Sequence, residues 1–406
     1  MSRPLRVAVI LWALFFAFGA CNTNGEAEIV NDPAAEYDRY WNDASRYLAG
    51  LEAEAGSVMA PFEAESHYAG HRRYWQETWP PVNERLEKMS NWAATELADA
   101  NQTDRVVFYP FSGPDFLNAF TFFSNGSDYV LFGLEPAGLP PRLDTMSERE
   151  RAAYLEKARG SLDSIFRYSF FRTNSMRVDY QNPTMEGLIA TLMLFVARKG
   201  NRLLIAEPIM IDKDGKLYVQ DSAQALETIG EYARSDASQR SDLIPGVRIK
   251  FLKPGENIVR TLVYLSVDVS NENFSRKPWF SEYIRSLGPT TTYLKAASYL
   301  LHYDSFARVR ELIFDVSQMI VQDDSGSPLR YFREGPWDLS FYGNYTQPIP
   351  LFRARHQTDL RAVYARPAEN GVRPLPFGTG YVYFEGQSNL MVARRSSQRS
   401  SASVEN

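Results

Sequence analysis

The sequence predicts an α+β or α/β fold, in which helices pack on a mixed β-sheet and the N-terminal part is helical. The first observation concerns residues 106–134, where an apolar run, Val106–Tyr109, precedes a short helical stretch and a second apolar run at 129–134. A strand, a helix and a strand in this order indicate a crossover between parallel strands. Two strand pairs further along, within 203–220 and 247–269, indicate antiparallel neighbours.

The N-terminal part carries apolar residues at helical spacing. Pro33 follows Asp32, and a proline is tolerated in the first turn of a helix because its missing N–H would have no partner there. Apolar and aromatic residues then recur three and four positions apart as far as Leu51, which predicts a helix that begins at Asp32. The same spacing predicts a second helix over residues 82–98.

Start and stop signals define the middle segments. Ser147 and Glu150 have the spacing of a capping box, which predicts a helix at this position. Another helix is predicted from Asn182-Pro183 to Gly200, and its apolar sequence indicates a buried position. Asp214-Gly215 between two apolar runs indicates a β-hairpin.

The C-terminal third is predicted to contain two helices and a last hairpin. Helices are predicted over residues 291–301 and 305–322, because apolar residues keep helical spacing there. After Asp323 the chain is rich in aromatic residues, Pro and Gly. Residues 381–384 and 390–393 lie on either side of Gly386 and predict a hairpin.

The domain organisation follows from the two ends of the chain. Arg3 and Arg6 precede an uncharged apolar run at 7–18, the layout of a secretory signal peptide. This run is shorter than the roughly 20 residues of a spanning helix. The sequence thus predicts a signal peptide over 1–20, a flexible leash over 21–31, a globular region over 32–395 and a disordered tail over 396–406. The globular region is one large domain, or two that divide near residue 240.

The single cysteine points to a membrane anchor. Exported proteins normally use cysteines in pairs, but Cys21 is the only cysteine in 406 residues. Phe18-Gly19-Ala20-Cys21 resembles the lipobox of bacterial lipoproteins, although that family prefers Leu where this chain has Phe18. The resemblance implies cleavage before Cys21 and acyl chains on this cysteine, which suffice for stable anchoring. The alternative is an ordinary secretory signal followed by a chance cysteine.

The location and partners follow from this anchor and from the charge. Asn22 replaces the Asp that retains enteric-type lipoproteins at the inner membrane, so the resemblance favours the outer membrane, with the protein facing the periplasm or cell surface. The formal charge of −5 becomes −7 without residues 1–20. An acidic chain without a basic cluster is a poor nucleic-acid binder. Its 23 Tyr, 25 Phe and 7 Trp residues suit a packed core or a sugar- or peptide-binding surface.

A candidate ligand site follows the first predicted strand. Tyr109 ends this strand, and Ser112-Gly113-Pro114 forms a turn before a helix that begins with Asp115. Ligands of open α/β sheets bind outside the carboxyl ends of strands, and Gly113 permits close backbone approach. Since Asp115 would repel an anion, a neutral polyol or a peptide is the expected ligand. The alternative is a structural turn in which Ser112 caps the helix.

Ser112 lacks the sequence context of a hydrolase nucleophile. It lies at a strand-to-helix turn, but the glycines of a Gly-x-Ser-x-Gly motif are absent around it. Its base would have to be His302 or His356, through a long-range contact. We therefore expect Ser112 to have a structural role.

Asp323 and Asp324 form the second part of the candidate site. They are predicted at the C-terminal end of a helix, where the helix dipole disfavours acids. Their position indicates either a solvated turn or a site in which an acid has a raised pKa or binds a cation. A pair for glycoside hydrolysis would need a distant partner, such as Asp115 or Asp304.

No metal site and no cofactor is predicted. His67 and His71 are four residues apart, as two ligands on one helix face would be, but no third ligand accompanies them. Gly70 also weakens a helix at this position. We therefore expect His67 and His71 to be exposed.

The expected function is that of a membrane-anchored envelope factor. No complete catalytic set is apparent in the sequence, which favours a binding or assembly role with an envelope protein or a glycan as partner. The alternative is an envelope hydrolase that acts on a glycan or an ester. Convergence of Asp115 with Asp323 or His302 in a polar cleft would favour the hydrolase.

Overall fold

A computed structural model describes residues 28–168, 185, 187–221, 227, 244–381 and 384–396. The predicted signal peptide, Cys21, Asn182-Pro183 and the tail beyond residue 396 lie outside these residues. The chain around residue 240 also lies outside them.

Within these residues, ten strands form one mixed sheet, in the order β4-β3-β5-β6-β2-β1-β7-β8-β10-β9. Their bounds are β1 Val106–Tyr109, β2 Asp128–Gly133, β3 Arg202–Ile211, β4 Leu217–Val219, β5 Ile244–Leu252, β6 Arg260–Ser266, β7 Thr290–Leu294, β8 Ser317–Gln322, β9 Trp337–Gly343 and β10 Asn389–Arg395. The five central strands, from β6 to β8, are parallel, and both flanks are antiparallel. The predicted mixed sheet with packed helices is confirmed.

Helices cover both faces of this sheet. The α-helices of the described residues are α1 Pro33–Glu36, α2 Tyr40–Leu48, α3 Tyr68–Glu96, α4 Phe116–Phe122, α5 Glu148–Tyr168, α6 Ile189–Arg198, α7 Asn271–Arg276, α8 Pro278–Ser286, α9 Ala307–Val316, α10 Leu329–Arg333 and α11 Thr358–Tyr364. Short 3₁₀ helices span Ala60–Ala64, Leu143–Thr145, Ala296–His302, Asp304–Phe306 and Pro350–Arg355. As predicted, the N-terminal part is helical.

Two hydrophobic cores lie on opposite faces of the sheet. Helices α2 to α6 bury their apolar residues on one face, where Tyr109 and Leu131 of the central strands meet them. Helices α8 to α11 pack on the other face against residues such as Phe108 and Phe132. Alternate residues of β1 therefore enter different cores, and the central strands are apolar on both faces, as is typical of covered parallel sheets.

Several predicted elements have the expected pairing. The crossover β1–α4–β2 joins two adjacent parallel strands. Strands β3 and β4 form the predicted hairpin, and β5 and β6 form the second antiparallel pair. The capping box is present, because the backbone N–H of Ser147 donates to Glu150 (2.8 Å) and that of Glu150 to the Ser147 hydroxyl (3.4 Å). Strands β3 and β5, which lie on either side of residue 240 in sequence, also pair in the same sheet.

The prediction for the N-terminal helices was wrong in their bounds. The first predicted helix is interrupted between Glu36 and Tyr40, and the second begins at Tyr68 and continues through Pro80 and Pro81. Two prolines normally interrupt a helix because each removes a backbone donor. Burial of apolar residues before and after them, including Trp75 and Val82, stabilises this one through tertiary packing.

The two helices predicted over 291–301 and 305–322 were only partly correct. Residues 290–294 form strand β7, and helix α9 ends at Val316, after which Ser317–Gln322 forms β8. A run of Thr and Tyr residues favours a strand, because branched and aromatic side chains pack well on a pleated surface. A strand covered on both faces does not alternate between polar and apolar residues, so helical spacing persisted through β8 by coincidence.

The last predicted hairpin was wrong. Strand β10 pairs with β8 and β9, while Tyr381 lies in a turn and residues 382–383 are outside the described part. Strand β9 was not predicted, because aromatic residues with nearby Pro and Gly masked its alternation. None of the helices among the described residues combines the length and the apolar character that crossing a membrane requires.

His71 is buried, whereas the sequence predicted an exposed residue. Its Nδ1 lies 2.9 Å from the Arg159 guanidinium, which can only donate, so Nδ1 accepts and Nε2 carries the proton. Nε2 then donates to the carbonyl oxygen of Leu48 at 3.0 Å and cannot accept from the Trp75 indole N–H, whose nitrogen lies 3.2 Å away. Burial and the charge of Arg159 lower the pKa of His71 to about 3, so the imidazole is neutral in the folded protein.

Candidate active site

The chain diverges at the carboxyl ends of β1 and β7. These strands are parallel neighbours, with Val106 beside Thr290 and Phe108 beside Thr292. From β1 the chain passes through α4, on one face, to β2; from β7 it passes through α9, on the other face, to β8 on the opposite side. Such a switch in strand order leaves a crevice at the carboxyl ends, where open α/β sheets bind ligands.

Asp115 and Lys295 meet at this switch point. Asp115 precedes α4 as its N-cap, and Lys295 follows β7 directly. The Lys295 Nζ lies 2.6 Å from Asp115 Oδ2, which also accepts a hydrogen bond from the Tyr109 hydroxyl at 2.9 Å. Asp115 Oδ1 accepts from the backbone and side-chain N–H groups of Asn118, at 3.2 and 2.8 Å. Asp115 is only 1% exposed and Lys295 only 2%. This burial lowers the pKa of Lys295.

The backbone is strained directly beyond the same two strands. Phe111 after β1 has φ of 59°, and Ala296 after β7 has φ of 55°. Among the described residues, these are the non-glycine positions with positive φ. L-residues occupy this region at an energetic cost, and the positions that retain it concentrate at functional sites.

Asp323 follows β8, the strand beside β7, and contributes a third charged group. It is 5% exposed, and its Oδ1 accepts hydrogen bonds from the backbone N–H (2.9 Å) and the hydroxyl of Ser325. Burial and the charge of Asp324 raise the pKa of Asp323 to about 7, against the opposing charge of Lys295. A Cβ atom at Gly380 would lie 2.0 Å from Asp323 Oδ2, so only glycine fits against this carboxylate.

Asp324 is held by two side chains from other segments. The Tyr299 hydroxyl donates to its Oδ2, and the Asn389 amide donates to its Oδ1 at 2.9 Å. Burial raises the pKa of Asp324, while these hydrogen bonds lower it. Because the adjacent carboxylates repel each other, the pair retains a proton to higher pH than an isolated acid would.

Aromatic rings cover Asp324. Tyr299 stacks on Phe352 with ring centroids 4.1 Å apart, and Tyr381 lies 6.0 Å from Tyr299 on a nearly parallel plane. Phe352 belongs to the 3₁₀ segment Pro350–Arg355, whose neighbouring Leu351 is 77% exposed. Rings from a surface segment thus lie over the carboxylate pair, of which Asp323 is buried and Asp324 keeps partial exposure.

Ser112 and Gly113 occupy a different part of the same edge, next to β2. The Ser112 hydroxyl donates to the carbonyl oxygen of Gly113 at 3.0 Å. The backbone N–H of Ser112 donates to the carbonyl oxygen of Phe132, also at 3.0 Å. No hydrogen bond joins Ser112 to an imidazole in the described part of the chain. Ser112 does not cap α4 either, because Asp115 fills that position.

The structure brings Tyr109, Asp115, Asp323 and Asp324 together around Lys295, while Ser112 and Gly113 lie apart from this cluster. Asp323 and Asp324 directly follow strand β8, so the prediction that they end a helix was wrong, and the helix-dipole argument does not apply. Lys295 was missed because β7 was interpreted as a helix. The Thr-rich run before it was the available signal for a strand with a charged residue at its carboxyl end.

Glu135, which follows β2, was also missed. It is buried, and burial raises the pKa of its carboxyl group. The Tyr264 hydroxyl of β6 lies 3.0 Å from its backbone oxygen and 3.3 Å from its Oε2. A Cβ at Gly133 would lie 2.4 Å from the same carboxylate. An acid two residues beyond an apolar strand was the signal in the sequence.

Two cavities of about 420 and 410 Å³ have no residue of the cluster around Lys295 in their lining. The first is lined by Lys88, Asn91, Trp92, Thr95, Glu96 and Pro376, and the second by Thr346, Gln347, Pro348, Arg353, His356 and Arg361. Within the described ranges, no three His, Cys, Asp or Glu residues are arranged to hold a metal ion.

Comparison with known proteins identifies no relative. No protein-family model matches the chain, and neither a curated protein nor a solved structure is significantly similar to it.

Proposed function

We propose that this protein is an envelope hydrolase that acts on a glycan or an ester, with Asp323 and Asp324 as its catalytic acids. One observation carries the proposal: Asp115, Lys295 and the Asp323–Asp324 pair come from separate segments and converge at the carboxyl ends of parallel strands. A buried acid whose pKa is raised by a neighbouring acid, beside a cation and at the position where this sheet architecture binds ligands, is typical of catalytic sites.

The sequence favoured a distant partner for glycoside hydrolysis, but the charge of Asp324 acts directly on the pKa of Asp323, so the adjacent pair itself suits acid–base catalysis near neutral pH. A pKa of about 7 for Asp323 lets this group hold a proton before the reaction and release it during the reaction. In hydrolysis, the protonated carboxyl group donates its proton to the leaving oxygen as the C–O bond breaks. The ionised carboxylate of the pair accepts a proton from the water whose oxygen bonds to the carbon. Lys295 stabilises negative charge that develops nearby.

The aromatic cover supports a ring-shaped or apolar substrate. Tyr299 and Phe352 present parallel ring faces over Asp324, and sugar rings pack well on such faces. Substrate entry would require Phe352 to leave Tyr299, and the exposed segment Pro350–Arg355 is the part of the cover that can move without disturbing the sheet.

We further propose that the protein is lipid-anchored through Cys21, which places the site in the envelope, with the outer membrane favoured. This rests on the apolar run at 7–18, the lone cysteine and the lipobox resemblance. The test is metabolic labelling with a clickable fatty acid, followed by fractionation, of the wild type and Cys21→Ala. Label on the wild type alone supports the anchor; label on neither protein, or on both, contradicts it.

The catalytic proposal is tested with a panel of envelope glycans and esters. Asp323→Asn and Asp324→Asn should each reduce turnover by about 100-fold or more, as expected when a general acid or base is lost. Asp128→Asn is the matched control, because Asp128 also has a pKa raised by burial but lies at the amino end of β2. Turnover that survives in both site variants, or that falls equally in the control, would contradict the assignment.

The cavities favour a second candidate, a binding or assembly factor. Neither of the two cavities is lined by Asp115, Asp323 or Asp324, so the ion-pair network could instead be structural. In that case Tyr299, Phe352 and Tyr381 would form part of a surface for a glycan or an envelope protein. The binding function predicts no turnover with any substrate of the panel, together with retention of a glycan on immobilised protein that is lost in Phe352→Ala.

A further inference from the structure

The second cavity is lined by cationic and hydrogen-bonding side chains and by no acid. Arg353, Arg361 and His356 line it together with Thr346 and Gln347, in a volume of about 410 Å³. Neither guanidinium group makes an ion pair or a hydrogen bond with another residue of the described chain. The Nε2 atom of His356 is buried and also lacks a partner there. The guanidinium groups of Arg353 and Arg361 are exposed and can be hydrated, so the observation that indicates a ligand is the buried, unpartnered Nε2 of His356 in a cavity lined by donors and by no acid.

The surroundings of this cavity are also positively charged. Burial, with a smaller contribution from the charges of Arg330 and Arg355, lowers the pKa of His302 to about 4. The nearby acid Asp359 does not line the cavity, and its carboxylate accepts a hydrogen bond from the backbone N–H of Leu360. The side chains that line the cavity therefore carry positive and no negative charge, although the whole chain is acidic.

The cavity is connected to the proposed active site by short contacts. Gln357, which follows His356, donates from Nε2 to the backbone oxygen of Asp324 at 3.0 Å. The ring of Tyr345 stacks on His356, with centroids 6.2 Å apart, and its hydroxyl accepts from the Gln357 N–H at 3.3 Å. Arg353 follows Phe352, the ring that covers Tyr299. One segment thus carries both the cavity lining and the cover of the carboxylate pair.

We propose that the cavity of Thr346, Gln347, Pro348, Arg353, His356 and Arg361 binds a phosphoryl group. Two guanidinium groups, an imidazole, a hydroxyl and an amide offer more donors than the two oxygens of a carboxylate can accept, whereas a phosphoryl group has three oxygens. This inference deepens the proposed function: the hydrolase would take a phosphorylated substrate, with the phosphoryl group held here and the scissile bond at the carboxylate pair.

Direct binding of inorganic phosphate tests the site without requiring turnover. Titration calorimetry of the purified full-length protein should show saturable binding that weakens with added salt. Arg353→Ala and Arg361→Ala should each weaken binding by about tenfold or more. Both residues are exposed, so these variants should fold. Arg73→Ala removes an exposed arginine of α3 as the matched control and should bind like the wild type.

Further ligands distinguish the source of the phosphoryl group. A hexose phosphate that competes with phosphate supports a soluble sugar ligand. Arginine-dependent binding to vesicles of phosphatidylcholine with phosphatidylglycerol, measured on a Cys21→Ala background, supports a lipid headgroup. Tighter binding of glucuronate than of either phosphate would overturn the proposal in favour of a carboxylate. Absence of phosphate binding, or binding that is unchanged when both arginines are replaced, would also overturn it.

The phosphate site and the hydrolase can fail separately. Asp323→Asn should keep the phosphate affinity of the wild type, because Asp323 does not line the cavity. Phosphate binding without turnover of any substrate would leave the cavity assignment standing and contradict the hydrolase. Turnover of a substrate without phosphate binding would contradict the cavity assignment and leave the hydrolase standing.

Discussion

The Nζ atom of Lys295 lies 2.6 Å from Oδ2 of Asp115, a residue 180 positions earlier in the chain, and both side chains are almost completely buried. Burying two charges carries a large desolvation penalty, which their attraction offsets only when the remaining polar atoms are also satisfied. Tyr109 and Asn118 satisfy the other acceptor positions of Asp115. The pair is therefore part of an ordered network whose members depend on one another.

The first prediction concerns this dependence. Asp115→Asn and Lys295→Met should each lower the free energy of unfolding by about 3–5 kcal/mol, because each leaves an uncompensated buried charge. The double variant should lose less free energy of unfolding than the sum of the losses in the two single variants. Chemical denaturation of all four proteins measures the coupling. The exposed pair Arg285–Asp315, at 2.9 Å, is the control, with an expected coupling of about 0–1 kcal/mol. Additive losses at Asp115 and Lys295 would contradict the network.

The second prediction concerns the pH dependence of stability. The pKa of Asp323 is raised from 3.8 to about 7, so between these values the folded state binds more protons at this residue than the unfolded state does. The contribution of Asp323 therefore destabilises the protein as pH rises through this window, with a slope of at most about 1.4 kcal/mol per pH unit.

Asp323→Asn isolates this contribution. The variant should gain stability relative to the wild type as pH rises from 4 to about 7, and the difference should level off above that pH. Urea denaturation at a series of pH values measures it. A difference that does not change across this window would contradict the raised pKa.

The sequence predicted the class of fold and, of the clustered site residues, Tyr109, Asp115, Asp323 and Asp324 but not Lys295. Asp115 could be found because an apolar run with β propensity comes before a turn and a helix, and each signal is local. Lys295 could not be found in the same way. Strand β7 lies between two neighbours and under helices on both faces, so its sequence lacks the alternation that identifies a strand.

Contacts between distant segments were beyond the sequence patterns for a related reason. The placement of Asp323 beside Lys295 depends on β8 lying next to β7, and thus on strand order rather than on local propensity. Gly380 lies against Asp323 although it is 57 positions later in the chain, and nothing in the local sequence indicates this approach. The local sequence could indicate only that Gly380 has a positive φ, here 70°, because glycine is preferred in turns with this backbone conformation.

The third prediction concerns acid stability and His71. Its pKa is lowered from 6.5 to about 3, so between these values the unfolded state binds more protons at this residue than the folded state does. The contribution of His71 to stability is therefore lost as pH falls through this window, by at most about 1.4 kcal/mol per pH unit. The amide of His71→Gln cannot titrate, so the difference in stability between wild type and variant should shrink on acidification. A constant difference from pH 7 to 4 would contradict the prediction.

The fourth prediction compares two glycines that differ in their surroundings. Gly380 and Gly371 both have positive φ, 70° and 62°, so alanine at either position carries the strain of a left-handed backbone, about 1–2 kcal/mol. A Cβ at Gly371 meets nothing within 4 Å, whereas a Cβ at Gly380 would lie 2.0 Å from Asp323 Oδ2. Gly380→Ala must therefore displace the Asp323 carboxylate from its position beside Ser325, while Gly371→Ala leaves it in place.

We expect Gly371→Ala to lose only the stability that the shared backbone strain costs and to keep the pH dependence assigned to Asp323. Gly380→Ala should lose more stability and should also lose that pH dependence. Denaturation of both variants at pH 5 and pH 8 measures the two effects, and equal behaviour of the variants would show that glycine at 380 does not position the acid.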